Sequence, residues 1–144
     1  MRSDPETTVE AAYAAWRVRD LKALVAYMAD DIVLHIHVPD AAGPFAGEVS
    51  GKPAVTQRLA LILDDFEFLT FLPKAPIIDG EFVRALVEFH GRHKASGEEI
   101  QCTMRHLWRV QNGIVTRVDE YHDGEMVRAF MMLAQARAHK QNAR

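Results

Sequence analysis

Residues 99–123, EIQCTMRHLWRVQNGIVTRVDEYHD, decide the fold. Ile100, Cys102, Met104, His106, Trp108 and Val110 alternate with Glu99, Gln101, Thr103, Arg105 and Arg109. That period of two sends successive side chains to opposite faces of a strand. Asn112-Gly113 supplies the positive-φ pair that a tight hairpin turn needs. Ile114 to His122 then reads as the returning strand. Strands of this length must twist and bend.

Upstream, Val83, Ala85, Val87 and Phe89 form an apolar face against Arg84, Glu88, His90 and Arg92, a third strand of the same meander. It is entered through Asp79-Gly80 and left through a turn at 95–97. Phe66 to Ile78, interrupted by Pro73 and Pro76, reads as an irregular strand. Earlier segments are helical. Val9, Ala12, Tyr13 and Trp16 fall on one stripe of a helix over 6–19. Asp20 caps a second helix with Leu21, Leu24, Val25 and Met28 on its stripe, ended by Asp30-Asp31. Ile32 to Val38 is a strand with Ile32, Leu34, Ile36 and Val38 on one face and Val33, His35 and His37 on the other. Pro39 to Gly51 is a loop or irregular hairpin. Ser50 is placed to cap a third helix over 53–64, burying Val55, Leu59, Ile62 and Leu63. A last helix runs from Met126 to about His139, with Met126, Phe130 and Leu133 on its face, before a polar tail expected to fray. Helices followed by a strand meander predict an α+β fold: a curved antiparallel sheet wrapped around the N-terminal helices, with a cone-shaped cavity between them.

Composition narrows the function. The 144 residues are 49% hydrophobic and 26% charged, which fits one globular domain over 1–144 with an ordered core of about 6–140. The net charge of −3 offers no basic footprint for nucleic acid. No apolar run is long enough to span a bilayer, and the polar stretch Met1 to Glu10 is not a signal peptide, so a cytoplasmic location is the expectation. The single cysteine, Cys102, excludes an internal disulfide and a multi-cysteine zinc site. Four residues along a strand also put it about 13 Å from His106, too far for a nucleophile–base pair.

Three stretches carry a family resemblance: DLKALVAYMADD (20–31), FAGEVSGKPAV (45–55) and LWRVQNGIVTRVDEYHD (107–123). In their order and spacing the chain resembles the SnoaL-like polyketide cyclase and ketosteroid-isomerase-like branch of the nuclear transport factor 2-like superfamily. The resemblance implies the cone-shaped fold. It also implies an acid/base aspartate at the end of the last strand, matched by Asp123, and a hydrogen-bonding acid position matched by His106. Two departures weigh against ketosteroid isomerase activity. The isomerase's donor tyrosine aligns with Ala12 rather than Tyr13, and its base aspartate with Ile36.

Seven histidines supply groups that titrate near neutrality. His106 interrupts an apolar face, where an imidazole needs a polar partner or a ligand. Glu120 and His122 share a face of the last strand. Asp123 falls opposite, where a bulge could turn it inward or where it could cap the final helix. His35 and His37 are half of a metal site by spacing, but they lie away from the apolar face, so the reading assigns no metal. His90, His93 and His139 read as surface residues. The expectation is cofactor-free acid–base chemistry on a small apolar molecule. His106 would be acid or oxyanion donor and Asp123 the base, with His122 tuning it. Tyr13, Trp16, His35, Ile36, Met104, Trp108, Val118 and Glu120 would surround the ligand. Apolar residues on the sheet's outer face point to a homodimer. The alternatives are a non-catalytic small-molecule binding dimer, or a hydrolase or lyase of the epoxide hydrolase or dehydratase type on the same fold.

Overall fold

The computed structural model describes residues 4–142; the outermost residues of both polar ends, 1–3 and 143–144, lie outside it. Helix α1 (Pro5–Arg17) starts where the Asp4 carboxylate accepts a hydrogen bond from the Thr7 N–H at 2.8 Å. Pro5 at its first position has no N–H to lose. The helix ends before Arg19, whose φ of 60° leaves the helical region. Arg19 donates to the carbonyls of Leu63 and Phe66. Asp20 caps α2 (Leu21–Ala26), accepting from the Ala23 N–H at 3.0 Å.

The second helix is a turn shorter than its apolar stripe predicts. Met28 already belongs to strand β1 (Met28–His37), and Asp30 and Asp31 are exposed strand residues rather than helix ends. The competing force is pairing: Tyr27 O accepts from Val115 N at 2.8 Å, and Met28 lies opposite Val115. The Pro39–Gly51 stretch contains a 3₁₀ turn (Asp40–Ala42) and strand β2 (Gly47–Ser50). Ser50 is spent in that strand opposite Val33, so Gly51, at φ 90°, stands at the cap of α3 (Lys52–Asp65) without a side-chain bond.

The meander follows as β3 (Phe66–Asp79), β4 (Phe82–His93), β5 (Glu99–Gln111) and β6 (Ile114–Tyr121), and α4 (Gly124–Asn142) closes the chain. The six strands form one curved, unclosed sheet in the order β2-β1-β6-β5-β4-β3. Its meander is antiparallel as expected, but β1 joins β6 in parallel, which makes the sheet mixed. A parallel pair needs a long connection between its strands, and here the chain makes α3 and four strands, β2 to β5, before returning beside β1.

The core fills the face covered by the helices, with Ile32, Leu34, Val83, Val87 and Val115 buried there. On α4 the inward stripe is Val127, Phe130, Met131 and Ala134, whereas Met126 and Leu133, expected inside, are exposed. His93 is also not a surface residue. It is 7% exposed, and its Nδ1 lies 2.9 Å from Ser96 Oγ.

Candidate active site

Strand register assembles the site. Ile36 of β1 lies opposite Glu120 of β6, Glu120 opposite His106 of β5, and His106 opposite Ala85 of β4. The next inward row is Leu34, Val118, Trp108 and Val83. Since inward residues recur every second position, His106 and Glu120 meet on the covered face. His122 follows two residues beyond Glu120. Helix α1 lays Tyr13 over them, its ring stacked on His106 and edge-on to Trp108.

The hydrogen bonds have a direction. Trp108 Nε1–H can only donate, and it donates to Tyr13 Oη at 2.9 Å. The Tyr13 proton is then free for His106 Nδ1, 2.6 Å away. The tautomer that uses every proton has Nδ1 accepting from Tyr13 and the imidazole N–H on Nε2, facing Glu120. Nε2 lies 3.3 Å from Glu120 Oε1, close enough for charge but off the hydrogen-bond line. The other carboxylate oxygen, Oε2, lies 3.4 Å from His122 Nε2. One carboxylate thus sits between two imidazoles.

Burial alone would push the Glu120 carboxyl up, but the flanking imidazoles of His106 and His122 outweigh it and hold the group well below the usual carboxylate range. Burial pushes the Tyr13 phenol up against the pull of the Trp108 N–H, and the Glu120 charge adds to the rise. Tyr13 therefore stays protonated and remains a donor. His106 Nε2 and His122 Nδ1 are the two buried side-chain nitrogens without a hydrogen-bond partner among the described residues.

These groups line a cavity of about 140 Å³. Its other walls are aliphatic and aromatic, with Phe66, Phe68, Phe71 and Phe89 from the meander and Phe130 and Met131 from α4. Of the residues expected around a ligand, Tyr13, Trp16, Ile36, Met104, Trp108, Val118 and Glu120 line this cavity, as do His106 and His122. Two do not. His35 points to the opposite face, where it pairs with Glu48. Asp123 is exposed and is not brought into the cavity, because its carboxylate accepts from the Met126 N–H at 3.1 Å and caps α4. The acid inside is Glu120, which alternation had put on the His122 face. Tyr13 is more than cavity wall, because its hydroxyl reaches His106. Cys102 is not activated: burial pushes its thiol up to about 11, and the Asp123 charge adds to the rise.

The profile of the SnoaL-like domain matches residues 9–118. No curated protein matches the chain. Among solved structures, an NTF2-like protein of Burkholderia xenovorans superposes with a TM-score of 0.79 at 23% identity, over 91% of this chain and 98% of that one. A candidate SnoaL-like polyketide cyclase of Mesorhizobium loti gives 0.69 at 22% identity, over 83% and 100%. A protein of Catenulispora acidiphila with a ketosteroid isomerase-like fold gives 0.73 at 19%, over 87% and 92%. At these identities the likeness is one of fold. The profile match over residues 9–118 shows that the chain belongs to the SnoaL-like domain family, and the helix–meander order and the helix-covered cavity agree with it.

Proposed function

We propose that this protein is an enzyme that moves a proton on a compact, largely apolar molecule bearing a carbonyl next to an ionisable C–H. The observation that carries the reading is the pair of unpartnered nitrogens flanking Glu120 in an otherwise apolar cavity. A buried polar atom left unpaired costs about 1–3 kcal/mol, so a ligand that pairs both is favoured. With the tautomer that Tyr13 imposes, His106 Nε2–H is a donor suited to a carbonyl oxygen. His122, holding its Nε2–H toward Glu120, presents Nδ1 as an acceptor.

The roles follow from basicity. Glu120, held low by its neighbours, is a poor base but a good stabiliser of positive charge. His122 Nδ1 takes the carbon-bound proton, and Glu120 orients the ring and offsets the charge of the imidazolium that forms. The electron pair left on carbon delocalises onto the carbonyl oxygen, where His106 Nε2–H meets it. Returning the proton to a second carbon completes an isomerisation; attack of the enolate carbon on a second carbonyl, whose oxygen then takes the proton held by His122, completes a ring closure. A cavity of about 140 Å³ is close to the roughly 150 Å³ that holds a benzene ring, which points to a small cyclic substrate.

The test is deuterium exchange into cyclohexanone and similar single-ring ketones in D₂O, followed by NMR. The protein accelerates exchange over buffer. His122→Ala and His106→Ala each reduce the acceleration by about 10²-fold or more with circular dichroism unchanged. Binding without exchange would instead indicate a carrier. Full activity in His122→Ala would end the assignment of the base.

A further inference from the structure

The outer face of the sheet, opposite the cavity, holds a second cluster of imidazoles and carboxylates. Register builds it as well. His35 of β1 lies opposite Glu48 of β2 on one side and opposite Asp119 of β6 on the other. His37 follows two residues on, on the same face. The donor atoms of His35, His37 and Asp119 all lie within 4.8 Å of one another. His37 Nε2 is 2.9 Å from Asp119 Oδ1, and His35 Nδ1 is 3.7 Å from Glu48 Oε1.

We propose that this cluster is a binding site for a divalent transition-metal ion of the zinc type, with His35, His37 and Asp119 as ligands and Glu48 as the fourth. Three neighbouring strands fix the four Cα positions, so the donors start close together. Bonds of about 2.0–2.2 Å to a tetrahedral ion place adjacent donors roughly 3.3 Å apart, and the two spacings above bracket that value. The rest is side-chain rotation. The two rings now stack 3.7 Å apart, so at least one must turn for their in-plane nitrogens to converge. His37 is held between His35 and Tyr121, so His35 is the ring that turns; its side chain is 30% exposed and that of Glu48 is half exposed, which leaves the turn open. Two imidazole nitrogens with carboxylate oxygens suit zinc, nickel or copper, whereas calcium and magnesium prefer all-oxygen sites.

Arg117 competes for the same carboxylates. Its Nε lies 2.9 Å from Asp119 Oδ2, and its Nη2 lies 3.2 Å from Glu48 Oε1. A metal ion must displace this guanidinium from at least one oxygen. Removing the arginine should therefore tighten metal binding, an effect that non-specific attachment to surface histidines would not show.

The experiment is calorimetric titration of the metal-free full chain with Zn²⁺, supported by the visible spectrum of the Co²⁺-loaded protein. One ion binds per chain, with a four-coordinate cobalt spectrum. His37→Ala and Asp119→Asn each weaken binding by about tenfold or more, Arg117→Gln tightens it several-fold, and His106→Ala leaves it unchanged. Absence of saturable binding, or equal affinity in the His35→Ala/His37→Ala double variant, overturns the site. Unchanged affinity in Arg117→Gln overturns Asp119 as a ligand. Loss of binding in His106→Ala would move the ion to the cavity and overturn the proposal. None of these outcomes depends on whether the cavity is catalytic.

Discussion

Tyr13 shows how much one hydroxyl can organise. It accepts from Trp108 and donates to His106, so its loss leaves two buried partners unpaired while the ring contacts remain. Tyr13→Phe should cost about 1–3 kcal/mol in urea unfolding, and it should release His106 to either tautomer, visible in the ¹⁵N shifts of the ring. A variant as stable as wild type would mean that the hydroxyl carries no structural burden. His106, Glu120 and His122 are legible in the sequence because strand alternation needs only local order. The bond from Tyr13 to His106 is not, because a helical stripe gives the buried face but not which atom touches which strand. Asp123 matches a base position in the family pattern and is equally a cap candidate in the sequence; in the structure its carboxylate accepts from Met126 N–H and caps α4, a competing local use of the same group.

At the scale of the element, Asp123 belongs to α4. Asp123→Ala should cost about 1 kcal/mol, the ordinary worth of a cap, and should leave proton exchange at the cavity unchanged. Loss of exchange with the helix intact would return Asp123 to the chemistry. The helix boundaries that departed from expectation share one cause. Local propensity assigns Met28 and Ser50 to helices, but each is taken by a strand partner, Val115 and Val33 respectively. Pairing across the sheet is not written near either residue. The parallel junction of β1 and β6 was hidden for the same reason, since its partners lie more than 80 positions apart. Within α4, Phe130 faces inward as expected, while Met126 and Leu133 give way to their neighbours Val127 and Ala134, one position on.

For the molecule as a whole, acid should be the most informative stress. Glu120 is held below its unfolded value of 4.5. Its stabilising contribution is therefore fully present above pH 4.5 and is lost as pH falls through the folded value. Glu120→Gln should lower stability at neutral pH and show a shallower loss of stability on acidification; identical pH slopes would refute this. Asp119 is displaced in the same direction. Burial would raise it, but the Arg117 and His37 hydrogen bonds and charges prevail, so some acid sensitivity should survive in the variant. These two neighbours on β6 face opposite sides of one sheet, and that has a genetic consequence. A one-residue deletion between the Asn112-Gly113 turn and Asp119 would turn the strand over, placing Asp119 against the helices and Glu120 in solvent. Both clusters would be lost by one frame-preserving event, so length variation in this chain should fall in the 39–46 loop or beyond Lys140, and not in this strand.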